Sequence, residues 1–269
     1  MLPPRSWILP KVNRVSNINS GSHQWLSANR SLVVDGCYFA RSIPFFPVER
    51  TCDLGEVARL RSAASTRISW TAVFLKAHGL VAAQTAPLRQ CYLKWPWPHI
   101  FEHDHNVGML AMNRQFAEGD RLCWGRFDDP ETKSLVEIQK SLDAFQNEPV
   151  DHIFKRQVFF SRLPWPVRRL IWWLNLNVFV SKRAKRMGTF SMSSLAGQGA
   201  INRFHFTVLS TSLTYAPVDA TGKCLVTLIC DHRVIDGSLA AAALIKLEET
   251  LNGVIADELR SLAQRRTAA

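Results

Sequence analysis

The stretch CLVTLICDHRVIDGSLAAAALIKLEETLNG, residues Cys224–Gly253, decides the fold of this chain. The part Lys223–Cys230 is apolar on both faces, which is typical of a central β-strand that is covered on both sides. The Ala-rich part Gly237–Leu251 has the periodicity of an amphipathic helix whose polar face carries Lys246 and Glu248. A buried strand joined to a helix by a short charged turn indicates an α/β protein.

The turn between this strand and this helix concentrates ionisable side chains. His232 and Asp236 stand four residues apart, with Asp231 before them and Gly237 after them. Charge at the exit of an apolar strand is costly unless it is paired or used in chemistry. His232 can be a buried structural histidine, and Asp236 can be only a helix N-cap. Imidazole can also act as a general base near neutral pH, because its pKa is about 6.5.

The motif D-H-R-x-x-D-G at residues 231–237 resembles that of the catalytic domain of the dihydrolipoamide acyltransferases of 2-oxo acid dehydrogenase complexes. That fold is shared with chloramphenicol acetyltransferase, whose motif is the looser H-x-x-x-D-G. Three other stretches match in the family's order. Thr189–Leu195 (TFSMSSL) is similar to the strand TFTISNLG, Ile68–Gln84 to the first long core helix, and Val107–Ala111 to the strand NIGIAV. The resemblance covers roughly residues 30–255 and is poor over residues 152–186.

The resemblance implies a chloramphenicol acetyltransferase-like fold, a two-layer sandwich of a mixed β-sheet with helices in a single α/β domain. We expect residues 1–28 to be an irregular N-terminal arm and residues 29–269 to be the catalytic domain. A basic, Trp-rich insert lies within it at about residues 152–186, and we call it the basic segment. The length of 269 residues leaves no room for a lipoyl or subunit-binding domain, so a stand-alone relative is expected.

The resemblance also assigns roles to individual side chains. His232 would be the general base that takes a proton from the thiol of coenzyme A or a similar acceptor, and Ser193 would stabilise the oxyanion. Asp236 would be the structural acid that pairs with an arginine, for which Arg30 is the candidate. The family forms homotrimers with the active site between subunits, so a homotrimer is expected. Coenzyme A or the phosphopantetheine of an acyl carrier protein would carry the acyl group, without a metal.

The charge of the chain is concentrated in one region. There are 33 Lys+Arg against 22 Asp+Glu, a formal net charge of +11, which suggests an anionic partner. From residue 152 to residue 217 the chain has no Asp or Glu. The basic residues of this stretch are Lys155, Arg156, Arg162, Arg168, Arg169, Lys182, Arg183, Lys185, Arg186 and Arg203.

Four interpretations of the basic segment compete. It can be an interfacial membrane anchor, a nucleic-acid groove, an entrance for a phosphorylated ligand with a hydrophobic tail, or an exposed basic helix whose Trp and Leu residues face the core. No nucleic-acid-binding motif is present, so we expect no nucleic-acid partner. An entrance would suit acyl-CoA or an acidic acyl carrier protein. Its candidate residues are Arg168, Arg169, Trp172, Trp173, Arg183 and Arg186.

Cysteine and histidine usage argue for a reducing compartment and against a metal site. The six cysteines form no C-x-x-C pair and are expected to be buried, free thiols. We recognise neither a signal peptide nor a membrane span, so a cytoplasmic location is expected, with a peripheral membrane location as the alternative. The cluster His99, His103 and His105, with Glu102 and Asp104, has the ligand types of a zinc or iron site, but no further ligand is indicated.

Two function classes therefore remain. The first is a thioester-dependent acyltransferase, and the second is a non-catalytic interaction or membrane-surface protein on the same fold. The coexistence of His232, Ser193 and Asp236 favours the first. Periodicity also predicts helices over Ser27–Arg41, Leu54–Ala64, Trp70–Gln84 and Thr132–Phe145, and strands over Pro44–Cys52, Asn106–Met112, Gly188–Ser194 and His205–Leu213.

Overall fold

The structure is a computed structural model that describes residues 22–23, 26–116 and 119–267. Most of the predicted arm, residues 1–28, lies outside these described residues. The helices are α1 (Ala28–Ala40), α2 (Gly55–Ala63), α3 (Trp70–Gln84), α4 (Leu135–Asn147), α5 (Val150–Ile153), α6 (Lys155–Arg162), α7 (Trp165–Asn177), α8 (Val180–Met187), α9 (Gly237–Thr250) and α10 (Ala256–Thr267). The strands are β1 (Phe45–Asp53), β2 (Gln90–Leu93), β3 (His99–Glu102), β4 (Val107–Phe116), β5 (Gly119–Asp128), β6 (Phe190–Met192), β7 (Thr211–Tyr215) and β8 (Lys223–Asp231).

A six-stranded mixed sheet in the order β1-β8-β7-β6-β4-β5 organises the molecule. β4, β6 and β7 are parallel, whereas β1, β8 and β5 run antiparallel to their neighbours. β8 is an internal strand, as its apolar sequence predicts. β2 and β3 form a separate antiparallel ribbon. The predicted α/β fold, with a mixed sheet and helices in one domain, is confirmed.

One face of the sheet is covered by α3, α4 and α9, with α10 beyond them, and this is the main hydrophobic core. α3 has no proline and begins at Ser69, whose Oγ accepts a hydrogen bond from the Ala72 amide at 3.2 Å. Phe74 of α3 stacks on Tyr215 of β7 with a ring-centroid distance of 4.3 Å. Lys76 of the same helix pairs with Glu258 of α10. The predicted buried helix therefore joins the sheet to the outer helices.

The opposite face is covered over β4, β5 and β6 by α1 and the helices of the basic segment. Side chains alternate along β4, so Leu110 faces the core while Met109 and Ala111 face these additional helices. The segment returns to the sheet at Gly188, where φ is +93° and an added Cβ would lie 2.3 Å from Cγ of Met109. Only glycine fits this close approach. The two-layer sandwich thus gains a third layer over half of the sheet.

Several predicted elements differ in their bounds from the structure; for example, the predicted strand Gly188–Ser194 is limited to Phe190–Met192. The predicted strand His205–Leu213 is wrong, because the strand is Thr211–Tyr215 and residues 201–207 are irregular. Within that irregular stretch, the side chains of His205 and Thr207 contact Ser212 of β7 and Ser191 of β6. The helix predicted from Thr132 begins at Leu135, where Ser134 and Glu137 form a capping box.

Candidate functional site

His232 lies just beyond the end of β8, at the surface of the turn. Its backbone amide donates to the carbonyl of Pro44 at 3.0 Å, and its ring packs against Phe46 with centroids 4.6 Å apart. Its side chain is 57% exposed. The backbone and one face of the ring are therefore held, while the rest of the imidazole remains open to a substrate. His232 is not the buried structural histidine that the sequence left as an alternative.

Asp236 is the residue that faces the imidazole. Its Oδ1 lies 3.6 Å from Nδ1 of His232, and its own side chain is 82% exposed. Asp236 occupies the N-cap position of α9, but its side chain makes no capping hydrogen bond. At this distance the carboxylate contacts the imidazole without fixing the ring by a hydrogen bond. The carboxylate thus lies on the Nδ1 side of the ring and leaves Nε2 free for another contact.

The buried acid of this turn is Asp231, which sequence analysis gave no role. Asp231 accepts hydrogen bonds from the backbone amide of Arg233 at 3.0 Å and from its Nη2 at 2.7 Å. The Arg233 guanidinium also lies over the ring of Tyr92, 4.5 Å from its centroid. This i, i+2 pair holds the turn. The spacing was visible in the sequence, but only contacts could show which acid is paired.

The prediction that Arg30 pairs with Asp236 needs correction. Arg30 lies in the first turn of α1, and among the described residues Asp236 has His232 as its ion-pair partner. The arginine–acid pair that holds the loop is Asp231–Arg233 instead. Sequence spacing suggested a long-range partner, whereas the turn uses an arginine two residues away.

Ser193 lies directly after β6, and its amide donates to the carbonyl of Leu213 at 3.1 Å. Within one chain the structure does not bring Ser193 to His232. Met192 pairs with Leu213, so Ser193 is level with Thr214 and Thr227, five residues before His232. That offset is roughly 17 Å along the strands and roughly 10 Å across them. The two predicted catalytic groups cannot act on one thioester from the same chain in this arrangement.

A second histidine–serine cluster lies between β6, β7 and the irregular stretch above them. Nε2 of His205 is 2.6 Å from Oγ of Ser212, and Ser191 Oγ donates to Ser212 Oγ at 2.8 Å. Ser191 also contacts the Thr207 hydroxyl at 3.0 Å. Burial lowers the pKa of His205 to about 4, so this imidazole is neutral at neutral pH. The cluster was not predicted, because residues 205–213 have the sequence pattern of a strand.

Two arginines predicted to line an entrance are instead part of the protein interior. Nε of Arg168 donates to Oδ2 of Asp35 in α1 at 2.7 Å, and both side chains are almost fully buried. Nη2 of Arg183 donates to the carbonyl of Val208 at 2.9 Å. Their charge is used to fasten α7 and α8 to the rest of the domain. Arg168 and Arg183 are therefore structural residues and not the entrance residues that were predicted.

The other entrance candidates have mixed surroundings. Arg169 lies over Tyr38, 4.0 Å from the ring centroid, and Arg186 donates to Oδ1 of Asn175 at 2.7 Å. Trp172 stacks on Phe39 of α1 with centroids 5.9 Å apart, whereas Trp173 is 39% exposed. These four remain candidates for contact with a ligand or a surface.

A cavity of about 440 Å3 lies between the basic segment and the sheet. It is bounded by α1 on one side, by α6, α7 and α8 on another, and by β4, β5 and β6 below. Ser193 and His205 both line it, but His232 does not. The cavity therefore connects one predicted catalytic position with the basic segment.

The histidine cluster of β3 is dispersed in the fold. His103 is buried beside Cys91, with Nε2 3.6 Å from Sγ, and burial lowers its pKa to about 4. His105 instead contacts Asp129 at 3.4 Å. Across residues 22–23, 26–116 and 119–267, no group of three or more His, Cys, Asp or Glu side chains could hold a metal ion.

The cysteines are free thiols, and five of them are buried as predicted. Burial raises the pKa of Cys52, Cys224 and Cys230 to about 12. Cys37 differs, because it is exposed on α1, and it lines the cavity.

Among the described residues, no helix is long and apolar enough to cross a membrane.

Comparison with solved structures identifies the fold. A probable dihydrolipoamide acetyltransferase from Listeria monocytogenes is similar over 88% of this chain and 96% of its own, with a TM-score of 0.64 and 15% identity. The dihydrolipoamide acetyltransferase of Azotobacter vinelandii is similar over 92% and 99%, with a TM-score of 0.61 and 17% identity. Chloramphenicol acetyltransferase matches 85% of this chain and 99% of its own, with a TM-score of 0.51 and 11% identity. No protein-family model and no curated protein sequence matches.

Proposed function

We propose that this protein is an acyltransferase that moves an acyl group between a thioester donor and a thiol or another nucleophile. The observation that carries the proposal is His232, an accessible imidazole held at the end of the central strand β8 and faced by Asp236. The likeness in fold to two dihydrolipoamide acetyltransferases supports it. The Azotobacter structure comes from work on a serine, a histidine and an asparagine in that enzyme's mechanism. In our proposal Ser193, His232 and Asp236 are the corresponding groups.

The proposed reaction uses His232 as a base and then as an acid. Nε2 accepts the proton of the acceptor thiol, and the resulting thiolate attacks the carbonyl carbon of the thioester. The carbonyl electrons move to oxygen, and the hydroxyl of Ser193 stabilises that oxyanion. When the tetrahedral intermediate collapses, the donor thiolate leaves and takes the proton back from His232. Asp236 stabilises the imidazolium that exists between these steps.

The reaction requires two copies of the chain. Ser193 and His232 are too far apart within one chain, so we propose that His232 of one copy works with Ser193 of a neighbouring copy. The resemblance described above points to a homotrimer. The mass of the native assembly, measured by light scattering, tests this stoichiometry. A monomer that turns over substrate at dilution would contradict the shared site.

The proposed donors are acyl-CoA and acyl carrier protein. Both carry the acyl group on a phosphopantetheine arm, and both are anionic, which suits the net charge of +11. Assaying the two donors separately, with the same acyl group, distinguishes them. Arg169 and Arg186 remain the charged side chains proposed to assist donor binding.

The test of the activity is the variant His232→Ala, assayed with a panel of acyl-CoA and acyl carrier protein thioesters. We expect turnover to fall roughly a hundredfold to ten-thousandfold, because the base that generates the thiolate is lost. The matched control is His152→Ala, since His152 is another exposed histidine, on α5, away from the turn. Turnover that is equally insensitive to both changes would refute the mechanism.

Contact with a membrane surface is the second candidate function, and one observation favours it. α7 exposes Trp165, Leu170 and Trp173, while exposed basic residues lie close by in the chain. Apolar and cationic groups together are typical of helices that bind anionic lipid surfaces. A cytoplasmic location, with the protein on the membrane for part of the time, stays our prediction.

Co-sedimentation with vesicles tests the membrane contact. The unchanged protein should sediment with vesicles that contain anionic phospholipid, and the double variant Trp165→Ser, Leu170→Ser should sediment less. The control Trp97→Ser removes an exposed tryptophan that lies outside the basic segment, between β2 and β3. Identical sedimentation of all three proteins would exclude α7 as the contact.

A further inference from the structure

We propose that the cavity beneath the basic segment binds the aliphatic chain of the acyl group, so that the enzyme acts on long-chain thioesters. This inference rests on the proposed acyl transfer and adds the class of substrate. The cavity's volume of about 440 Å3 is far larger than an acetyl group requires. It lies within the range of roughly 300–1,000 Å3 that is usual for small-molecule sites.

The wall of the cavity is mainly hydrocarbon and aromatic. Its larger apolar side chains come from the sheet and from the helices that cover it: Leu32 of α1, Met109 and Leu122 of β4 and β5, and Phe160, Ile171 and Trp172 of α6 and α7. Burying a methylene group in such surroundings contributes about 0.8 kcal/mol. A straight aliphatic chain gains this contribution along its whole length, whereas a short polar acyl group gains almost none.

The position of the cavity links it to the proposed chemistry. Ser193, which we propose to stabilise the oxyanion, is one of its lining residues. The carbonyl of a bound thioester has to lie within hydrogen-bond distance of that hydroxyl, and its acyl chain then starts at the cavity wall. The cavity is thus placed where the acyl chain needs space.

Charge at the cavity fits a ligand that is apolar in one part and anionic in another. Arg156 and Arg186 line it and are exposed to solvent. Arg186 already donates to Asn175, which fixes its guanidinium at the wall. Acyl-CoA carries phosphates and acyl carrier protein is acidic, so both offer a partner for these arginines.

The cavity is held open by buried polar contacts. The Asp35–Arg168 ion pair joins α1 to α7, and Arg183 joins α8 to the carbonyl of Val208. These contacts fix the walls on both sides, so the space is preformed and a chain does not have to force helices apart. Preformed apolar pockets bind chains with a smaller ordering cost.

Filling the cavity from α1 provides the test. An added Cβ at Gly36 meets only Trp172 within 4 Å, at 3.9 Å, and Gly36 lines the cavity. Gly36→Leu therefore puts a side chain into the space and replaces a poor helix former by a good one. The matched control is Gly253→Leu, since Gly253 is also helical and an added Cβ there meets nothing within 4 Å.

Binding is measured separately from turnover, so the two proposals can fail independently. Dansyl-undecanoic acid reports chain binding by its fluorescence, without any reaction. Cys37 gives a second readout, because it is the exposed cysteine on the cavity wall while the other five are buried. A bound chain should slow its alkylation by a maleimide. Turnover of acetyl-CoA and palmitoyl-CoA is then compared in the same variants.

We expect Gly36→Leu to differ from both the unchanged protein and Gly253→Leu in its interaction with long aliphatic chains. Gly36→Leu should bind the dansyl probe roughly tenfold more weakly or worse, lose the protection of Cys37 and show a lower rate of palmitoyl transfer relative to acetyl transfer. Probe binding and Cys37 protection that are equal in both variants would overturn the inference. Chain binding with no turnover of any thioester would support the cavity and refute the proposed function instead.

Discussion

The β8–α9 turn and the basic segment are both rich in charge, but the two regions use it in opposite ways. In the turn, His232 and Asp236 are exposed and only loosely paired. In the basic segment, Arg168 and Arg183 are buried and bonded inside the protein. Groups free to react with a substrate are found in the first region. The second region uses much of its charge to build walls around a cavity.

The difference shows what composition and motif can each reveal. The high density of arginine indicated a binding surface, yet some of these arginines are buried and bonded inside the protein. The motif around His232 indicated a reactive group, and the imidazole is accessible as such a group must be. Variants of the turn should therefore change chemistry, and variants of the basic segment should change folding or substrate choice. Four predictions, in order from the largest expected effect to the smallest, test which residues serve the structure and which serve the proposed chemistry.

The first prediction concerns the buried ion pair that joins α1 to the basic segment. Asp35→Ala leaves the guanidinium of Arg168 buried without its partner, and we expect a loss of roughly 3–5 kcal/mol in the free energy of unfolding. Urea denaturation measures it. The control Glu56→Ala removes an acid from an exposed pair and should change stability little. Equal losses in both variants would show that the buried pair has no special role.

The second prediction concerns chemistry alone. Ser193→Ala should lower kcat roughly a hundredfold and leave KM and the melting temperature nearly unchanged, because an oxyanion donor acts only in the transition state. The control is Ser194→Ala. Ser194 donates to the Tyr215 carbonyl at 2.8 Å, so its loss should cost about 1 kcal/mol of stability and little activity. The reverse pattern would identify Ser193 as an ordinary strand serine.

The third prediction concerns the buried histidine of the cavity wall, His205. Burial lowers the pKa of His205 from 6.5 to about 4, so the unfolded chain binds a proton between these pH values and the folded chain does not. Stability should therefore fall by about 1.4 kcal/mol per pH unit from this residue as pH drops from about 6.5 to about 4. His205→Gln should remove that part of the slope in denaturation measured at several pH values.

A companion variant sharpens the third prediction. His78 of α3 is also buried, and its pKa is likewise lowered to about 4. His78→Gln should flatten the stability profile over the same pH interval, although His78 packs on Phe190 on the core side, away from His205. A profile that keeps its full slope in both variants would mean that neither imidazole excludes a proton on folding.

The fourth prediction tests the exposed charge that remains in the basic segment. Lys182 of α8 is exposed, so Lys182→Glu should raise KM for an anionic thioester slightly at low salt and not at high salt, where surface charge is screened. The control Lys140→Glu places the same change on α4, at the opposite face of the sheet. The same rise in KM for both would indicate a general charge effect without a specific surface.

Elements with strong local patterns could be predicted from the sequence. The β8–α9 unit and the buried helix α3 were found within a few residues of their ends, since each has an apolar run bounded by polar or turn residues. β7 could not be found in this way. Its residues Thr211–Tyr215 are all buried, yet the hydroxyls among them hide the apolar alternation. Their burial depends on partners such as Ser191 and Ser194, which come from elsewhere in the chain.

Prediction of the site from the sequence is limited in the same way, to residues that are close together in the chain. The turn residues were predictable because His232 and Asp236 are close in sequence. The cavity was not, because its walls meet only after folding: Asp35 and Arg168 are 133 positions apart. Nor could the sequence show that Ser193 and His232 lie apart within one chain, since that separation follows from the order of the strands. Sequence pattern reports local contacts well and tertiary contacts poorly.

The path of the basic segment has a consequence for how this protein can diversify. The basic segment follows α4 and α5 and ends just before Gly188, and no strand of the sheet lies between α4 and Gly188. An excursion with fixed ends can change in length at a small entropic cost while the strands keep their register. In the proposed enzyme, His232 and part of the wall that contacts the acyl chain therefore lie on different segments, so changes in the basic segment would alter substrate choice without altering the reacting groups.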